Sequence, residues 1–276
     1  MILSTSSIDL RDSHVMAIVN VTPDSFYSGS RTIERGAIVE RVERAIGDGA
    51  TIIDIGGYSS RPNAEEVSVE QEWERVRDGL EAIRSVDGGA VVSIDSFRAE
   101  VIRRSVEEFG DIIVNDISAG EQDRDMLDVV AKYDLPYVAM HMRGTPKTMQ
   151  SLTDYEDGVV RAVMEYFNAR VEEIVARGVA RDKIVLDPGF GFAKSIEQNY
   201  ELLRGLDHLR ALGYPILVGL SRKSMIYKPL GIGPEDALSG SLALGWEALR
   251  SGNAILRVHD VRESAQLVAL AKTFRG

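Results

Sequence analysis

Several short apolar runs of this sequence end in side chains that can accept hydrogen bonds. The third, fourth and sixth runs end in Asp95, Asn115 and Asp187, and the second run ends in Asp54. Carboxylate and amide oxygens accept from amino and ring N–H groups, so the first three suit a flat, nitrogen-containing heterocycle. A lone aspartate in such a place more often caps the following helix. Because a buried polar group without a partner costs about 1–3 kcal/mol, the repetition favours one shared site.

The last two runs end in side chains that can bind an anion. Lys223 follows the seventh run, and Arg257 and His259 lie at the end of the eighth. Such donors form short, charge-assisted hydrogen bonds with phosphate oxygens. Asn20 ends the first run, and its amide oxygen is a suitable ligand for Mg²⁺ that also contacts phosphate. The sequence therefore predicts a heterocycle at one side of the site and a phosphorylated group at the other.

The runs that carry these polar ends number eight and are rich in β-branched residues. They cover residues 15–22, 50–57, 90–96, 111–118, 136–142, 183–189, 215–222 and 253–260. Their nearly continuous hydrophobicity is typical of parallel strands buried on both faces. Stretches with apolar residues at three- and four-residue spacing separate them and predict helices, one of which covers residues 196–213.

Alternation of strand and helix, repeated eight times, predicts a single (β/α)8 barrel (TIM barrel) domain over residues 1–276. A doubly wound open sheet is the alternative. In a barrel, the carboxyl ends of the strands meet at one mouth, where active sites form. The long connections at residues 22–32, 57–69 and 143–153 follow strands one, two and five, and we expect them to be functional.

The segment GFGFAKS, residues 189–195, is similar to a phosphate-binding loop but lacks its Gly-Lys-Ser/Thr spacing. We expect its glycines to allow close approach of the backbone to a flat ligand, with Phe192 as a wall. A plain turn between strand and helix is the alternative. Elsewhere, Ser68 and Gln71 have the spacing of a capping box at the start of a helix.

Composition excludes several classes of function. The net charge of −11 argues against broad nucleic-acid binding. With no cysteine, the chain has no disulfide and no thiolate zinc site, which suits a cytoplasmic location. The chain has no apolar run of 18 residues and no signal-peptide pattern at its start, so we expect no membrane partner.

Seven motifs, in order, resemble those of the dihydropteroate synthase family. They are MAIVNVTPDSF (16–26), IDIGGYSSRPNA (53–64), SIDSFRAEV (93–101), VNDIS (114–118), DPGFGFAKS (187–195), VGLSRKS (218–224) and LRVHD (256–260). The resemblance runs from about residue 15 to the end of the chain. It implies an enzyme of folate biosynthesis that joins 7,8-dihydropterin-6-ylmethyl diphosphate to 4-aminobenzoate, with release of pyrophosphate. It also implies Mg²⁺ as cofactor, a homodimer, and sulfonamides as inhibitors that mimic 4-aminobenzoate.

The resemblance also implies roles for individual residues. The pterin would be bound by Asp95, Asn115, Met140, Asp187 and Lys223. The diphosphate would be bound by Asn20, Arg257 and His259, with Asn20 also binding the metal. The 4-aminobenzoate would be framed by Phe26, Ser60, Arg61, Pro62, Phe192 and Ser224. The residues expected to act in catalysis are Asp95, Lys223, Arg257 and His259.

The sequence departs from the family pattern at a few positions, which concern the loops, and two alternative functions also stay open. Tyr58 stands where the family commonly has Glu, Ser60 where it has Thr, and the first loop reads SFYSGS. One alternative is a pterin-binding barrel that transfers the methyl group of methyltetrahydrofolate, and the other is a non-catalytic pterin-binding barrel. The first would not need the SSRP segment or the basic cluster of Lys223, Arg257 and His259.

Overall fold

The computed structural model describes residues 8–21, 31–58, 66–86, 91–250 and 252–276. Its strands are β1 His14–Asn20, β2 Ile52–Gly56, β3 Val91–Asp95, β4 Ile113–Asp116, β5 Tyr137–Met140, β6 Ile184–Asp187, β7 Leu217–Val218 and β8 Ile255–Val258. Its helices are α1 Arg31–Gly47, α2 Val69–Ser85, α3 Ala99–Phe109, α4 Met126–Lys132, α5 Val159–Ala176, α6 Ile196–Arg204, α7 Leu206–Arg210, α8 Ser224–Leu230, α9 Leu238–Arg250 and α10 Val261–Arg275.

All eight strands are parallel and lie in one sheet, in the order β6-β5-β4-β3-β2-β1-β8-β7. A β-bridge between Leu186 and Ile216 joins the two edge strands, so the sheet closes on itself. The barrel prediction is confirmed, and the open-sheet alternative is wrong. The strands are shorter than the apolar runs that predicted them, because the runs also include flanking residues, and those directly after β2 to β6 are buried as well.

The floor of the barrel is a layer of eight apolar side chains, one from each strand. They are Met16, Ile52, Val91, Ile113, Val138, Val185, Leu217 and Ile255, and all are almost fully buried. Ile8 and Leu10 pack against this layer from below. A larger cluster fills the space between the outer faces of the strands and the helices. These two cores hold the strands rigidly, and so fix the positions of the side chains at the strand ends.

Two local expectations about helices have different outcomes. The capping box of Ser68 and Gln71 is confirmed at the start of α2. The single helix expected over residues 196–213 is wrong, because it breaks at Gly205 into α6 and α7. A side chain at Gly205 would lie 2.6 Å from Cγ2 of Val160, so α5 packs directly against this backbone. Within the described ranges, no helix combines the length and the hydropathy needed to span a membrane.

Candidate active site

The polar side chains of the barrel mouth stand directly above the apolar floor. Side chains two residues apart on a strand point to the same face. Asp54 therefore follows Ile52 on the inner face, and Arg257 follows Ile255. The other inward residues at this level are Asn115, Met140 and Asp187, with Asp95 one step higher on β3. Because side chains alternate between the two faces of each strand, residues that are far apart in the sequence meet inside the barrel.

Arg257 forms the centre of this layer, between two carboxylates. Its Nε donates to Oδ2 of Asp54 at 2.7 Å, and its Nη2 donates to Oδ2 of Asp95 at 2.6 Å. The amide of Asn115 donates to the two carboxylate oxygens of Asp54 at 3.3 and 3.4 Å. Asp54 is fully buried, whereas the side chain of Asp95 keeps 23% of its surface exposed at the mouth. Asp95 is therefore the carboxylate that a ligand can reach.

The electrostatics of this group follow from its burial. Burial, with a smaller contribution from the neighbouring Asp54, raises the pKa of Asp95 to about 7, although Arg257 opposes the shift. Burial disfavours the cation of Arg257, but Asp54 and Asp95 more than offset this and raise its pKa. Arg257 therefore stays charged beside Asp54, while the second carboxylate, Asp95, can exchange a proton near neutral pH.

Asp187 and Lys223 form the opposite side of the mouth. Oδ1 of Asp187 accepts from the backbone N–H of Gly189 at 2.8 Å. Lys223 donates to the carbonyl of Phe190, and its Nζ lies 4.8 Å from the centre of the Phe192 ring. Burial lowers the pKa of Lys223 to about 8, although Asp187 favours its charged form. Lys223 therefore carries a proton at neutral pH that it can lose in mildly alkaline solution.

An apolar patch adjoins these polar groups. Met140 is buried in it, and Phe192 packs against its edge. The remaining members are Ile117, Met142, Met149, Ala193 and Phe97. A flat ring bound by Asp95, Asn115 and Asp187 at its edges would lie against such a surface.

The anion side of the mouth is built around His259. Oγ of Ser221 lies 3.1 Å from Nδ1 of His259 and accepts from its backbone N–H at 3.2 Å. Partial desolvation and the charge of Arg257 lower the pKa of His259 below its ordinary value, although the residue as a whole remains exposed, so the imidazole is neutral at pH 7. Ser224 is the first residue of α8, which follows β7. In contrast, Arg222 pairs with Asp260 at 2.6 Å and binds two backbone carbonyls, so it supports the loop.

Asn20 lies at the end of β1, beside Asp95. A side chain at Gly56 would be 3.8 Å from Oδ1 of Asn20 and 3.7 Å from Oδ2 of Asp95, so Gly56 leaves space between the two oxygens. Among the described residues, no cluster of three His, Asp or Glu side chains could hold a metal ion. A magnesium ion here would therefore need substrate oxygens and water to complete its shell.

The structure brings most of the predicted site residues to one mouth. These are Asn20, Asp95, Asn115, Met140, Asp187, Phe192, Lys223, Ser224, Arg257 and His259. Phe26, Ser60, Arg61 and Pro62 lie outside the described residues.

Two residues that sequence reasoning left without a role are important to the site. Asp54 ends the second apolar run and has no predicted role, yet its carboxylate accepts a hydrogen bond from Arg257. The two-residue spacing above Ile52 could have indicated this, because it places Asp54 on the inner face. No pattern in the neighbouring sequence indicated the role of Ser221, whose hydroxyl lies next to the ring of His259.

Comparison with known proteins places the chain among pterin-binding proteins. A family profile described as pterin binding enzyme matches residues 16–259. A dihydropteroate synthase of Escherichia coli K12 is 43% identical over 270 residues, which cover 97% of this chain and 93% of that protein. A second dihydropteroate synthase, from Synechocystis, is 42% identical over 260 residues, which cover 94% of this chain and 89% of that protein.

Solved structures agree with these relatives. The crystal structure of Yersinia pestis dihydropteroate synthase with a sulfonamide drug complex superposes with a TM-score of 0.89 at 39% identity, covering 97% of this chain and 96% of that one. The Xanthomonas albilineans dihydropteroate synthase with 4-aminobenzoic acid gives a TM-score of 0.88 at 37% identity, covering 97% and 94%.

Proposed function

The chain belongs to the dihydropteroate synthases of the pterin-binding enzyme family, and from this premise we propose how its barrel mouth performs their reaction. The enzyme condenses 7,8-dihydropterin-6-ylmethyl diphosphate with 4-aminobenzoate to give dihydropteroate and pyrophosphate in folate synthesis. The observation that carries the assignment of the pterin site is the layer of Asp54, Asp95 and Asn115 around Arg257. This layer offers hydrogen-bond acceptors directly above the apolar layer that closes the barrel floor to water.

The pterin binds to the acceptor side of the mouth. Asp95, Asn115 and Asp187 accept hydrogen bonds from its ring N–H and amino groups, while Lys223 donates to a ring acceptor. Met140 supports one face of the ring, since it is buried in the apolar patch next to these residues. Asp54 keeps Arg257 charged and in place. It lies below the pterin and does not contact it directly.

The diphosphate binds on the other side, near His259 and Asn20. Because His259 is neutral at pH 7, it contributes a hydrogen bond rather than a charge. Arg257 supplies the cation, and its Nη2 donates to Oδ2 of Asp95, whose side chain is partly exposed at the mouth. Asn20 would hold a Mg²⁺ in this corner together with phosphate oxygens of the substrate, and the ion would supply charge neutralisation for the leaving group.

The chemistry is a displacement with SN1 character at the pterin methylene carbon. The C–O bond to the diphosphate breaks first, and the electron pair leaves with pyrophosphate. The pterin ring delocalises the resulting cation, and the carboxylates of Asp95 and Asp187 stabilise it. The amino group of 4-aminobenzoate then forms the C–N bond and loses a proton to solvent or to a carboxylate. Since an aniline nitrogen is already nucleophilic, the site needs no strong base.

The second substrate binds beyond the methylene carbon, against Phe192 and Ser224, with Phe26, Ser60, Arg61 and Pro62 completing its frame. On this assignment, sulfonamides inhibit by competing with 4-aminobenzoate. The single-domain boundary of 1–276, the cytoplasmic location and the homodimer belong to the same proposal. Support for a homodimer comes from α10, where Leu270 and Phe274 expose 60% and 68% of their surfaces.

One assay tests the reaction directly. The chain is incubated with pterin diphosphate, Mg²⁺ and radiolabelled 4-aminobenzoate, and labelled dihydropteroate is separated and counted. We expect product only when all three components are present, with one pyrophosphate released per product. A chain that binds the pterin diphosphate but forms no product would instead be a non-catalytic pterin-binding barrel.

A further inference from the structure

Lys194 is a buried lysine behind the pterin site that the reaction outlined above does not use. Only 5% of its surface is exposed. Its Nζ lies 2.9 Å from Nδ1 of His141 and donates to the carbonyls of Gly189 and Phe192, each at 3.0 Å. Within the described part of the chain, none of its hydrogen-bond partners is a carboxylate. Burying a lysine among neutral acceptors costs free energy, which raises the question of what its donors stabilise.

The protonation states in this pocket allow Lys194 to act as a hydrogen-bond donor to backbone carbonyls. Burial lowers the pKa of Lys194 to about 7, although Asp187 favours the charged form, so the ammonium can lose one proton near neutral pH and still keep two N–H donors. Burial and the charge of Lys194 lower the pKa of His141 well below its ordinary value. His141 is therefore neutral, and its Nδ1 can accept a hydrogen bond from the lysine.

The backbone around Lys194 has an unusual shape that needs such support. Three residues of this turn, Gly189, Gly191 and Ala193, have φ of 70°, 81° and 49°. The left-handed conformation is strained for alanine, so this turn needs contacts that hold it in shape. Lys194 binds the carbonyls of Gly189 and Phe192, and Lys223 binds the carbonyl of Phe190. Two lysines thus hold the segment between β6 and α6.

This segment carries two groups of the active site. The N–H of Gly189 binds Oδ1 of Asp187, and the ring of Phe192 faces Nζ of Lys223. Lys194 holds Phe192 directly, because it donates to the carbonyl of Phe192. Asp187 depends on Lys194 less, because it belongs to strand β6. Loss of the lysine should therefore displace Phe192 more than Asp187.

We propose that Lys194 is a positioning residue for the second substrate, and that it acts by fixing the ring of Phe192 against 4-aminobenzoate. This inference rests on the proposed function, since Phe192 frames 4-aminobenzoate only there. Two other contacts attach the segment without Lys194. The hydroxyl of Tyr155 donates to the carbonyl of Ala193 at 2.9 Å, and the N–H of Gly191 donates to Asn199 at 2.7 Å. The segment therefore stays in place but loses its exact support when Lys194 is replaced.

The test compares Lys194→Met with a control lysine. Methionine keeps the length of the side chain and removes its donors. With saturating pterin diphosphate, we expect the KM for 4-aminobenzoate to rise by about tenfold, equivalent to about 1.4 kcal/mol. The KM for pterin diphosphate should change much less: the logarithm of its factor of change should be less than half of that for 4-aminobenzoate. The control is Lys183→Met, which removes contacts with the carbonyl and carboxylate of Asp134 at the opposite end of the barrel.

A merely structural role of Lys194 would reduce the folded fraction, and so lower the apparent kcat while leaving both KM values unchanged. The effect must also pass through Phe192. In a Phe192→Ala background, Lys194→Met should add almost nothing to the KM for 4-aminobenzoate. Additive effects, or a KM unchanged by Lys194→Met, would overturn the inference.

A second variant covers the case in which Lys194→Met does not fold. Lys194→Gln keeps a donor for the carbonyls, and we expect a KM for 4-aminobenzoate between those of the wild type and Phe192→Ala. A wild-type KM in that folded variant would count against the inference. Failure of the wild type to form dihydropteroate would instead refute the proposed function, whatever the variants do.

Discussion

Nε of Arg257 donates a hydrogen bond of 2.7 Å to Oδ2 of Asp54, although 203 residues separate the two in the chain. Asp54 is fully buried, and Nη2 of the arginine donates to the second carboxylate, Asp95. The cation that is expected to bind diphosphate is therefore already engaged on the pterin side of the mouth. This pairing links the two halves of the site, because a change at either carboxylate moves the same guanidinium.

Asp54→Asn should weaken both the fold and the activity. The substitution leaves Arg257 with one carboxylate and places an amide donor next to a cation, so we expect the free energy of unfolding to fall by about 1–3 kcal/mol. Denaturant titration followed by circular dichroism measures the loss. As control, Glu247→Gln breaks a surface pair with Arg250 and should leave the denaturation midpoint unchanged. Equal midpoints for Asp54→Asn and wild type would show that the buried pair contributes nothing.

Asp95→Asn should lower turnover with little loss of stability. The pKa of Asp95, raised to about 7 by burial, means that the folded protein tolerates a neutral side chain at this position. The transition state does need its charge, and removal of one such electrostatic contact typically costs about 10²–10³ in kcat. Steady-state kinetics at saturating substrates and thermal unfolding together test this. Wild-type turnover in the variant would refute the cation-stabilising role of Asp95.

Activity should decline in alkaline solution as Lys223 loses its proton. Burial lowers its pKa to about 8, below the ordinary lysine value, so kcat/KM for pterin diphosphate should fall as pH rises through about 8. Lys223→Arg, which does not titrate in this range, should remove this alkaline decline even if its maximal activity is lower. An alkaline limb that persists in Lys223→Arg would assign the titration to another group.

Stability gives an independent check on that decline. The folded state releases the Lys223 proton at lower pH than the unfolded chain does, so between the two pKa values the unfolded state binds more protons. The contribution of Lys223 to stability therefore increases as pH rises above about 8. Loss of activity there should consequently precede any loss of folded protein in a fluorescence or circular-dichroism titration.

Gly189→Ala should be far more damaging than an equivalent change elsewhere. Both Gly189 and Gly213 have left-handed φ values, of 70° and 83°. A Cβ atom at Gly189 would lie 2.0 Å from the carbonyl oxygen of His141, whereas Gly213 has open space around it. Gly213→Ala should thus cost only the backbone strain, on the order of 1 kcal/mol. Gly189→Ala should cost clearly more and abolish activity, measured by thermal unfolding and product formation; similar melting temperatures for the two variants would contradict the close contact.

Much of this protein could be predicted from the sequence because the signals are local. Buried parallel strands require continuous apolar runs, and these runs predicted the barrel together with the polar strand ends at its mouth. Asn115 and Asp187, for example, end such runs and do lie on the inner face of the barrel. The ordered motifs added the family, which the comparisons confirm.

Only the tertiary structure decided how the side chains at the mouth are paired. His259 and Arg222 both follow strands, yet His259 borders the site and Arg222 turns away to Asp260. Nothing in the local pattern separates these outcomes, since they depend on where other strands lie once the barrel closes. Lys194 illustrates the same limit. Its segment resembles a phosphate-binding loop without the required spacing, and no local pattern indicated that Nζ of Lys194 would lie against His141 and the carbonyls of Gly189 and Phe192.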